Sequence, residues 1–238
     1  MSKHLFGGVL LAGLLSSTVA LAHVSLPSGP AQADKSGTKI TFGLGHGCEV
    51  AGVHYDTWKF RVEIPVGMTS VRAFTSDFGR PVVTKAGTPA IATVVEWTRN
   101  TADLLDDDDG YYEVSIRAKV PNTPFTRLPI IVHQVCLVNN NPLTVSWNVL
   151  PGGTGNTAPV LTIQGARLNA MGWSKITLPA GASVAVDRLA TYFGDAQIVW
   201  KGTAAFSTNS ATAALIGTTA GVTALGALAA GDEIWVKY

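Results

Sequence analysis

Apolar and polar residues alternate with a period of two along much of the chain, a pattern typical of strands with one buried face. The alternating segments are rich in Val, Ile, Thr and aromatic residues, and Gly, Pro, Asn and Asp separate them. Short strands at this spacing predict an all-β fold, an antiparallel β-sandwich, rather than a parallel α/β sheet. The predicted strands are 39–44, 58–64, 92–97, 111–120, 128–138 and 143–149.

The composition changes at 151–159, which reads Pro-Gly-Gly-Thr-Gly-Asn-Thr-Ala-Pro. A Gly- and Pro-rich polar stretch predicts a linker. The remainder, 160–238, is poor in charge, and its strand-like pieces predict a smaller β-rich segment after the sandwich. Within it, 210–230 is rich in Ala, but its Thr and Gly spacing favours short strands and turns over a helix.

The first 22 residues predict a cleaved secretory signal peptide. Lys3 and His4 form a short positive start, an apolar run covers 5–15, and the segment ends in Ala20-Leu21-Ala22. The apolar run is shorter than the roughly 20 residues of a membrane-spanning helix. We therefore expect cleavage after Ala22, a mature chain that begins at His23, and a periplasmic or secreted protein.

The two cysteines, Cys48 and Cys136, both lie in the predicted mature chain. In an oxidising compartment an even pair usually forms a disulfide, which is the prediction made here. Closing so long a loop stabilises a fold by roughly 4 kcal/mol in the chain-entropy model. A thiolate metal site is the alternative, but the two cysteines are far apart and have no C-x-x-C arrangement.

Charge and motifs exclude several function classes. The formal net charge is +1 and basic residues form no cluster, which argues against a nucleic-acid partner. The acidic run 106–109 before Gly110 predicts a solvated turn, because a calcium loop needs spaced oxygen ligands. The chain has no G-x-S-x-G, no H-E-x-x-H and no phosphate-binding glycine loop.

The predicted amino terminus offers a metal-binding chemistry of its own. A terminal His23 presents two nitrogen donors, its α-amine and its imidazole Nδ1, which together close a chelate ring on one ion. Both groups deprotonate near neutral pH at modest cost. Nitrogen and oxygen donors in a tetragonal arrangement suit Cu(II), which also heads the affinity order of the divalent first-row metals.

A third ligand is needed, and several residues are candidates. Glu49 follows the Cys48 anchor directly, which favours a preformed site, although a solvated loop acid would look the same in sequence. His133 lies in an apolar strand, where a hydrogen-bonded structural histidine is the commoner case. His46 and His54 each fit either a ligand or a loop histidine without a metal role. The full set of candidates is His46, Glu49, His54, Asp56 and His133.

Several motifs resemble the YcnI-like domain. They are the mature start HVSLP at 23–27, HGCE at 46–49, FRVEIPVG at 60–67, EW at 96–97, QVC at 134–136, and Trp147. The resemblance covers about 23–150 and no part of 160–238. It implies a cupredoxin- or immunoglobulin-like sandwich that binds Cu(II) through His23 and Glu49, with Trp147 closing over the ion, and it also implies the Cys48–Cys136 pairing.

The chain departs from that family at two places. The segment 50–57 is longer than usual and contains His54, so a second histidine as ligand stays open. Asp77-Phe78-Gly79 replaces the usual Gly-Trp, and Trp58 and Trp97 compete with Trp147 for the role of covering residue.

The sequence thus predicts an exported, non-enzymatic Cu(II)-binding protein for copper trafficking, buffering or sensing. A copper-transport membrane protein or another periplasmic copper carrier is the expected partner. One alternative is a copper-dependent polysaccharide monooxygenase, which needs a second histidine from His46, His54 or His133. The other is a cell-surface adhesion or carbohydrate-binding module, in which 160–238 forms the interface and His23 is incidental.

Overall fold

The computed structural model describes residues 24–105, 110–167 and 171–238. The predicted signal peptide 1–22, the predicted ligand His23 and the acidic run 106–109 lie outside the described residues. Strands account for most of the regular structure up to residue 164. These strands are β1 Val24–Ser25, β2 Ala31–Gln32, β3 Thr38–Leu44, β4 Cys48–Val50, β5 Val53–Tyr55, β6 Thr57–Glu63, β7 Thr69–Ala73, β8 Arg80–Ala86, β9 Ile91–Thr98, β10 Tyr112–Lys119, β11 Thr126–Pro129, β12 Val132–Val138, β13 Asn141–Trp147 and β14 Val160–Gln164.

Two antiparallel sheets pack face to face. One has the order β1-β3-β10-β7 and the other the order β13-β12-β6-β9-β8. Alternate residues of each strand point into a shared core, where Phe42 of β3 meets Phe60 of β6 with ring centroids 5.9 Å apart. The predicted antiparallel β-sandwich is confirmed.

Two parts of the sandwich differ from the strands predicted from the pattern. The predicted strand 128–138 is two strands, since β11 pairs with β14 while β12 pairs with β6 and β13. Pro129, which ends β11, has no N–H to continue a ladder. Strands β7 and β8 were not predicted, because neither has a fully buried residue that would mark an apolar face.

The C-terminal residues form a second core, built by strands and one of the two short helices of this region, α1 (Leu189–Phe193). A five-stranded sheet has the order β15-β21-β17-β18-β19, and a separate ribbon pairs β16 with β20. These elements are β15 Trp173–Thr177, β16 Ser183–Val184, α1 Leu189–Phe193, β17 Ile198–Lys201, β18 Ala204–Phe206, α2 Ser210–Thr218, β19 Thr223–Ala224, β20 Leu228–Ala229 and β21 Glu233–Lys237. The expected β-rich segment is therefore present.

One prediction for this region is wrong in part. In the Ala-rich stretch 210–230, Ser210–Thr218 forms the helix α2 and not strands and turns, whereas the remainder contains the short strands β19 and β20 as expected. The side chain of Asn209 caps this helix by accepting a hydrogen bond from Thr212 N at 3.1 Å. Alanine has the highest helix propensity, and with that cap it outweighs the Thr residues in the segment.

Strand β14 and Phe125 connect the two cores. β14 lies between β11 and β2, and its Leu161 and Ile163 are buried in the sandwich core, so the packing of that core continues past the predicted linker 151–159. Phe125 extends into the second core, with its ring 5.7 Å from that of Phe193. Among the described residues, no helix has the length and apolarity to cross a membrane.

Candidate metal centre

The candidate site is a short β-hairpin at one end of the sandwich. β4 and β5 pair so that Val50 opposes Val53, which leaves Ala51 and Gly52 as a two-residue turn. Both turn residues have positive φ, 51° and 78°, as a type I′ turn requires. Glycine adopts that conformation without strain, whereas Ala51 adopts it against its own preference.

Glu49 and His54 lie directly opposite each other in this hairpin. Opposed residues of an antiparallel pair project to the same face, with Cβ atoms about 4.5–5.5 Å apart. Both residues are exposed to solvent. The hairpin thus brings a carboxylate and an imidazole together on one accessible face, a relation that their separation in sequence does not reveal.

The opposite face of the hairpin is attached to the sandwich by a disulfide. Cys48 of β4 and Cys136 of β12 form the predicted bond, with their Cα atoms 6.1 Å apart, so the disulfide prediction is confirmed. Side chains alternate along a strand, so Cys48 points into the protein while its neighbour Glu49 points outward.

Gln134 fixes the loop that precedes the hairpin. Its Nε2 donates to the carbonyl oxygen of His46 and to Oγ1 of Thr57, both at 2.6 Å, and the residue is only 1% exposed. The half-buried His46 ring has its Nδ1 3.2 Å from the carbonyl oxygen of Gly47. The loop therefore has a fixed backbone on its sandwich side, which is what a preformed site requires.

Asp56, a candidate ligand by sequence, has a structural role instead. Its carboxylate is buried, and its Oδ2 accepts from Arg99 Nη1 at 2.5 Å, from Leu105 N at 2.8 Å and from the Tyr112 hydroxyl at 2.9 Å. Its Oδ1 accepts from Thr57 N at 2.7 Å. A carboxylate with this many donors is fully engaged in holding the end of the hairpin to the sandwich.

Arg99 and Tyr112 complete this buried polar cluster. Arg99 also donates to the carbonyl oxygen of Asp103, and its guanidinium carbon lies 4.5 Å from the centre of the Tyr112 ring. Burial raises the pKa of the Tyr112 hydroxyl above its usual range, and the hydrogen bond to the Asp56 carboxylate raises it further. Tyr112 therefore keeps its proton and goes on donating to Asp56.

Val24, the first described residue, lies beside this cluster. Val24 pairs with Leu44 at the end of β3, and Leu44 pairs on its other side with Tyr112. Leu44 is followed by the loop that carries His46 and then by Cys48 and Glu49. Val24, which follows His23 in sequence, thus lies at the same end of the sandwich as the Glu49–His54 pair.

Trp147 is not beside the hairpin. It is 2% exposed in the sandwich core and pairs with Val132, at the end of β12 away from Cys136. Cys136 lies four positions further along the strand than Val132, about 13 Å at the usual rise. The half-buried Trp58 is nearer, since it follows Thr57, the residue that opposes Cys136.

His133 has the structural role that its apolar strand suggested. Its Nδ1 lies 2.9 Å from Ser146 Oγ and its Nε2 lies 2.9 Å from Glu63 Oε1. These contacts occupy both ring nitrogens at a half-buried position of β12, on the sheet and not on the hairpin.

The structure gives two residues roles that the sequence did not predict. Gln134, known from the sequence only as part of the QVC motif, holds the His46 loop from β12, and Arg99, directly after β9, binds Asp56 at the end of the hairpin. Gln134 gives one recognisable signal, because it is a polar residue at an inward position between Val132 and Cys136. Within 24–105, 110–167 and 171–238, no group of three or more His, Cys, Asp or Glu side chains is placed to hold a metal ion.

Comparisons with known proteins do not assign a family. No protein-family model matches the chain, and no curated protein matches it. One solved structure with a similar fold is described as "Crystal structure of an uncharacterized protein from Nocardia farcinica reveals an immunoglobulin-like fold". It is 20% identical with a TM-score of 0.48, and the match covers 59% of this chain and 97% of that one. The resemblance to the YcnI-like domain stays a prediction.

Proposed function

We propose that the protein binds Cu(II) at the hairpin end of the sandwich, outside the cytoplasm, and carries, buffers or senses the ion there. The proposed ligands are the α-amine and imidazole of a terminal His23, the Glu49 carboxylate and the His54 imidazole. The observation that carries the proposal is the direct opposition of Glu49 and His54 on an exposed face held rigid from behind.

The donor set fits the metal. Three nitrogens and one carboxylate oxygen suit the tetragonal preference of Cu(II). The described residues supply two of these donors, and Val24, which follows His23 in sequence, pairs with Leu44 at the same end of the sandwich. His54 as fourth donor goes beyond the single-histidine arrangement that the family resemblance implies.

Export and exchange are part of the proposal. The Cys48–Cys136 disulfide is typical of an oxidising compartment, which supports a periplasmic or secreted location after cleavage behind Ala22. A site on an exposed face leaves room for a partner to take the ion by ligand exchange. A copper-transport membrane protein or another periplasmic copper carrier fits that role.

One experiment tests the terminal histidine and the hairpin together. Protein that begins at His23 is titrated with Cu(II) against a competing chelator, beside protein with one extra glycine before His23. We expect the extra residue to weaken binding by about 100-fold or more, because it removes the amine from the chelate ring. Equal affinities would exclude chelation of the ion by the α-amine and imidazole of a terminal His23.

Side-chain variants then test the remaining ligands. Glu49→Gln and His54→Gln are each expected to change the Cu(II) EPR spectrum and to weaken binding by about tenfold or more, because each removes one donor from the ion. His133→Gln is the matched control, since His133 bonds Ser146 and Glu63 and should leave the spectrum unchanged. An unchanged spectrum for His54→Gln would remove His54 from the ligand set and leave the proposed chelation by His23 unaffected.

A second candidate function is the copper-dependent polysaccharide monooxygenase, favoured by one observation, the second histidine beside Glu49. The position of the C-terminal core weighs against it, because a substrate bound to that core would lie far from the hairpin. Helix α1 of the core lines a cleft with Thr38, and Thr38 lies about 20 Å along β3 from Leu44, which is at the hairpin end. Oxygen- and reductant-dependent cleavage of cellulose or chitin by the copper-loaded protein would favour this enzyme over the carrier.

A further inference from the structure

Three tryptophans from adjacent strands form an exposed aromatic surface on the C-terminal sheet. Trp173 of β15, Trp200 of β17 and Trp235 of β21 line a shallow depression of about 410 Å³. Trp173 is 44% exposed and Trp235 is 48% exposed, which is high for the largest apolar side chain. We call these three residues the tryptophan face.

The sheet register places the three tryptophans on one face of three neighbouring strands. Trp200 directly opposes Trp235, and Trp173 opposes Lys237, two residues further along β21. Alternate residues Ile234 and Val236 point the other way and fill the second core. Neighbouring strands lie about 4.8 Å apart, so the tryptophan face extends over about 10 Å across three strands.

Charged residues border the tryptophan face. Lys175 directly opposes Trp235 and makes a 2.8 Å ion pair with Glu233, while Lys237 lies between Trp173 and Ile198 in the register. An apolar floor beside polar groups of fixed position is the usual composition of a small-ligand site. A ligand that fits must have a flat apolar surface and a polar edge.

A second copy of the chain is a poor occupant for this face. Fully exposed aromatic side chains present about 150–250 Å² each, so three partly exposed tryptophans offer at most about 300 Å². A stable protein interface buries about 800 Å² on each partner. The charged border would also have to be desolvated, which a small contact does not offset.

A quaternary ammonium ligand is disfavoured for a different reason. Aromatic rings attract such cations, but Lys175 and Lys237 already place positive charge beside Trp235 and Trp173. A further cation on these rings would meet like-charge repulsion at short distance. The depression is also open and shallow, whereas the aromatic rings of a cation-binding cage enclose the cation.

We propose that the tryptophan face binds a polysaccharide chain of β-linked pyranose rings. A pyranose has a flat C–H face that stacks on indole and a rim of hydroxyls that both donate and accept hydrogen bonds. Trp200 opposes Trp235 and Trp173 lies two residues further along the neighbouring strand, so the tryptophan face offers stacking surface to more than one ring of such a chain. The Lys175–Glu233 pair then provides donors and an acceptor for the hydroxyls at the edge.

The experiment uses full-length processed protein, free of copper. Retention on insoluble chitin and on insoluble cellulose is measured, together with the tryptophan fluorescence change on adding the soluble hexasaccharide of each. We expect binding to at least one of the two polysaccharides, and we expect Trp235→Ala to weaken it by about tenfold or more, as loss of a central stacking contact would. Tyr111→Ala is the matched control, an exposed aromatic of the N-terminal sandwich that should bind as wild type.

Several outcomes would overturn the proposal. They are no retention and no fluorescence change with wild-type protein, equal binding by Trp235→Ala, or a fluorescence response to choline in place of the sugars. A dimer in sedimentation that Trp235→Ala dissociates would assign the tryptophan face to a second copy. The wild-type measurements decide the matter even where a variant fails to fold, and they do not depend on the copper proposal.

Discussion

At the scale of single residues, the site depends on side chains that bind no ligand. Asp56 joins the end of the hairpin to Arg99 and to Tyr112, which lies beside Leu44 in the sheet. A buried carboxylate of this kind is costly unless every oxygen is hydrogen-bonded, and here four donors satisfy it. Asp56 was a reasonable ligand candidate by sequence, because sequence does not show which carboxylates already have partners.

Tyr112 gives a prediction about pH. The pKa of its hydroxyl is raised in the folded protein, first by burial and then by Asp56. Above about pH 10 the unfolded chain loses this proton before the folded chain does. The unfolded state then binds fewer protons, so the free energy of unfolding falls as pH rises through this range.

Tyr112→Phe should therefore make that fall shallower. At neutral pH the variant should be less stable by about 2 kcal/mol, because it loses a hydrogen bond to a charged acceptor. Urea unfolding from about pH 9 to about pH 11 measures both effects. Tyr192 and Tyr238, whose pKa values burial also raises, will keep part of the slope in the variant. Parallel curves for the two proteins would contradict the assignment to Tyr112.

At the scale of elements, the β4–β5 hairpin decides whether Glu49 and His54 meet. A shift of one residue in its register would move one of them to the disulfide side of the ribbon. The Ala51–Gly52 turn sets that register, since a two-residue connection with positive φ at both positions fits only one pairing. The ligand pair therefore depends on a turn that touches no ligand.

Two substitutions in this turn should have opposite effects. Gly52→Ala places a Cβ at φ 78° and should destabilise the hairpin by about 1 kcal/mol. Ala51→Asn creates the Asn-Gly pair that type I′ turns favour and should stabilise it by a fraction of that amount. Hydrogen exchange of the hairpin amides measures the local effect, and Cu(II) affinity should follow it in both directions. Equal exchange rates in the two variants would show that another feature sets the register.

At the scale of the whole molecule, two cores share one connecting region. Phe125 has φ 61°, an uncommon conformation for a bulky residue, and is only 3% exposed. Its ring packs on Tyr192 and Phe193 of α1, while its backbone N donates to Ile163 O of β14 at 2.8 Å. The sandwich thus supplies one of the large side chains of the second core.

Phe125→Ala should weaken the second core and its coupling to the sandwich. Removing a buried phenylalanine costs about 3–5 kcal/mol through lost packing and the cavity left behind. We expect hydrogen exchange to rise in the peptides that contain α1 and β21 before it rises in β3 or β6. Phe74→Ala, at a position 42% exposed, is the control and should change stability by less than about 1 kcal/mol. A uniform loss of protection from exchange across both cores would contradict the division of the molecule into two separate cores.

The sequence alone determined two features: the strands that show local alternation of apolar and polar residues, and the pairing of the two cysteines. Period-two patterns located the core strands of the sandwich, and the presence of only two cysteines left one possible disulfide, which the structure contains. Edge strands such as β8 escaped prediction because none of their residues is fully buried, and α2 escaped it because an N-cap and alanine outweighed threonine.

Only the tertiary structure decided which side chains meet. Glu49 opposes His54 because of a turn conformation, Gln134 holds the His46 loop across 88 residues, and three tryptophans share one face because β15, β21 and β17 are neighbours in the sheet. The physical reason is common to all three. Alternation fixes which face a residue takes, but register and strand order fix its neighbours, and both are set by the packing of the whole chain.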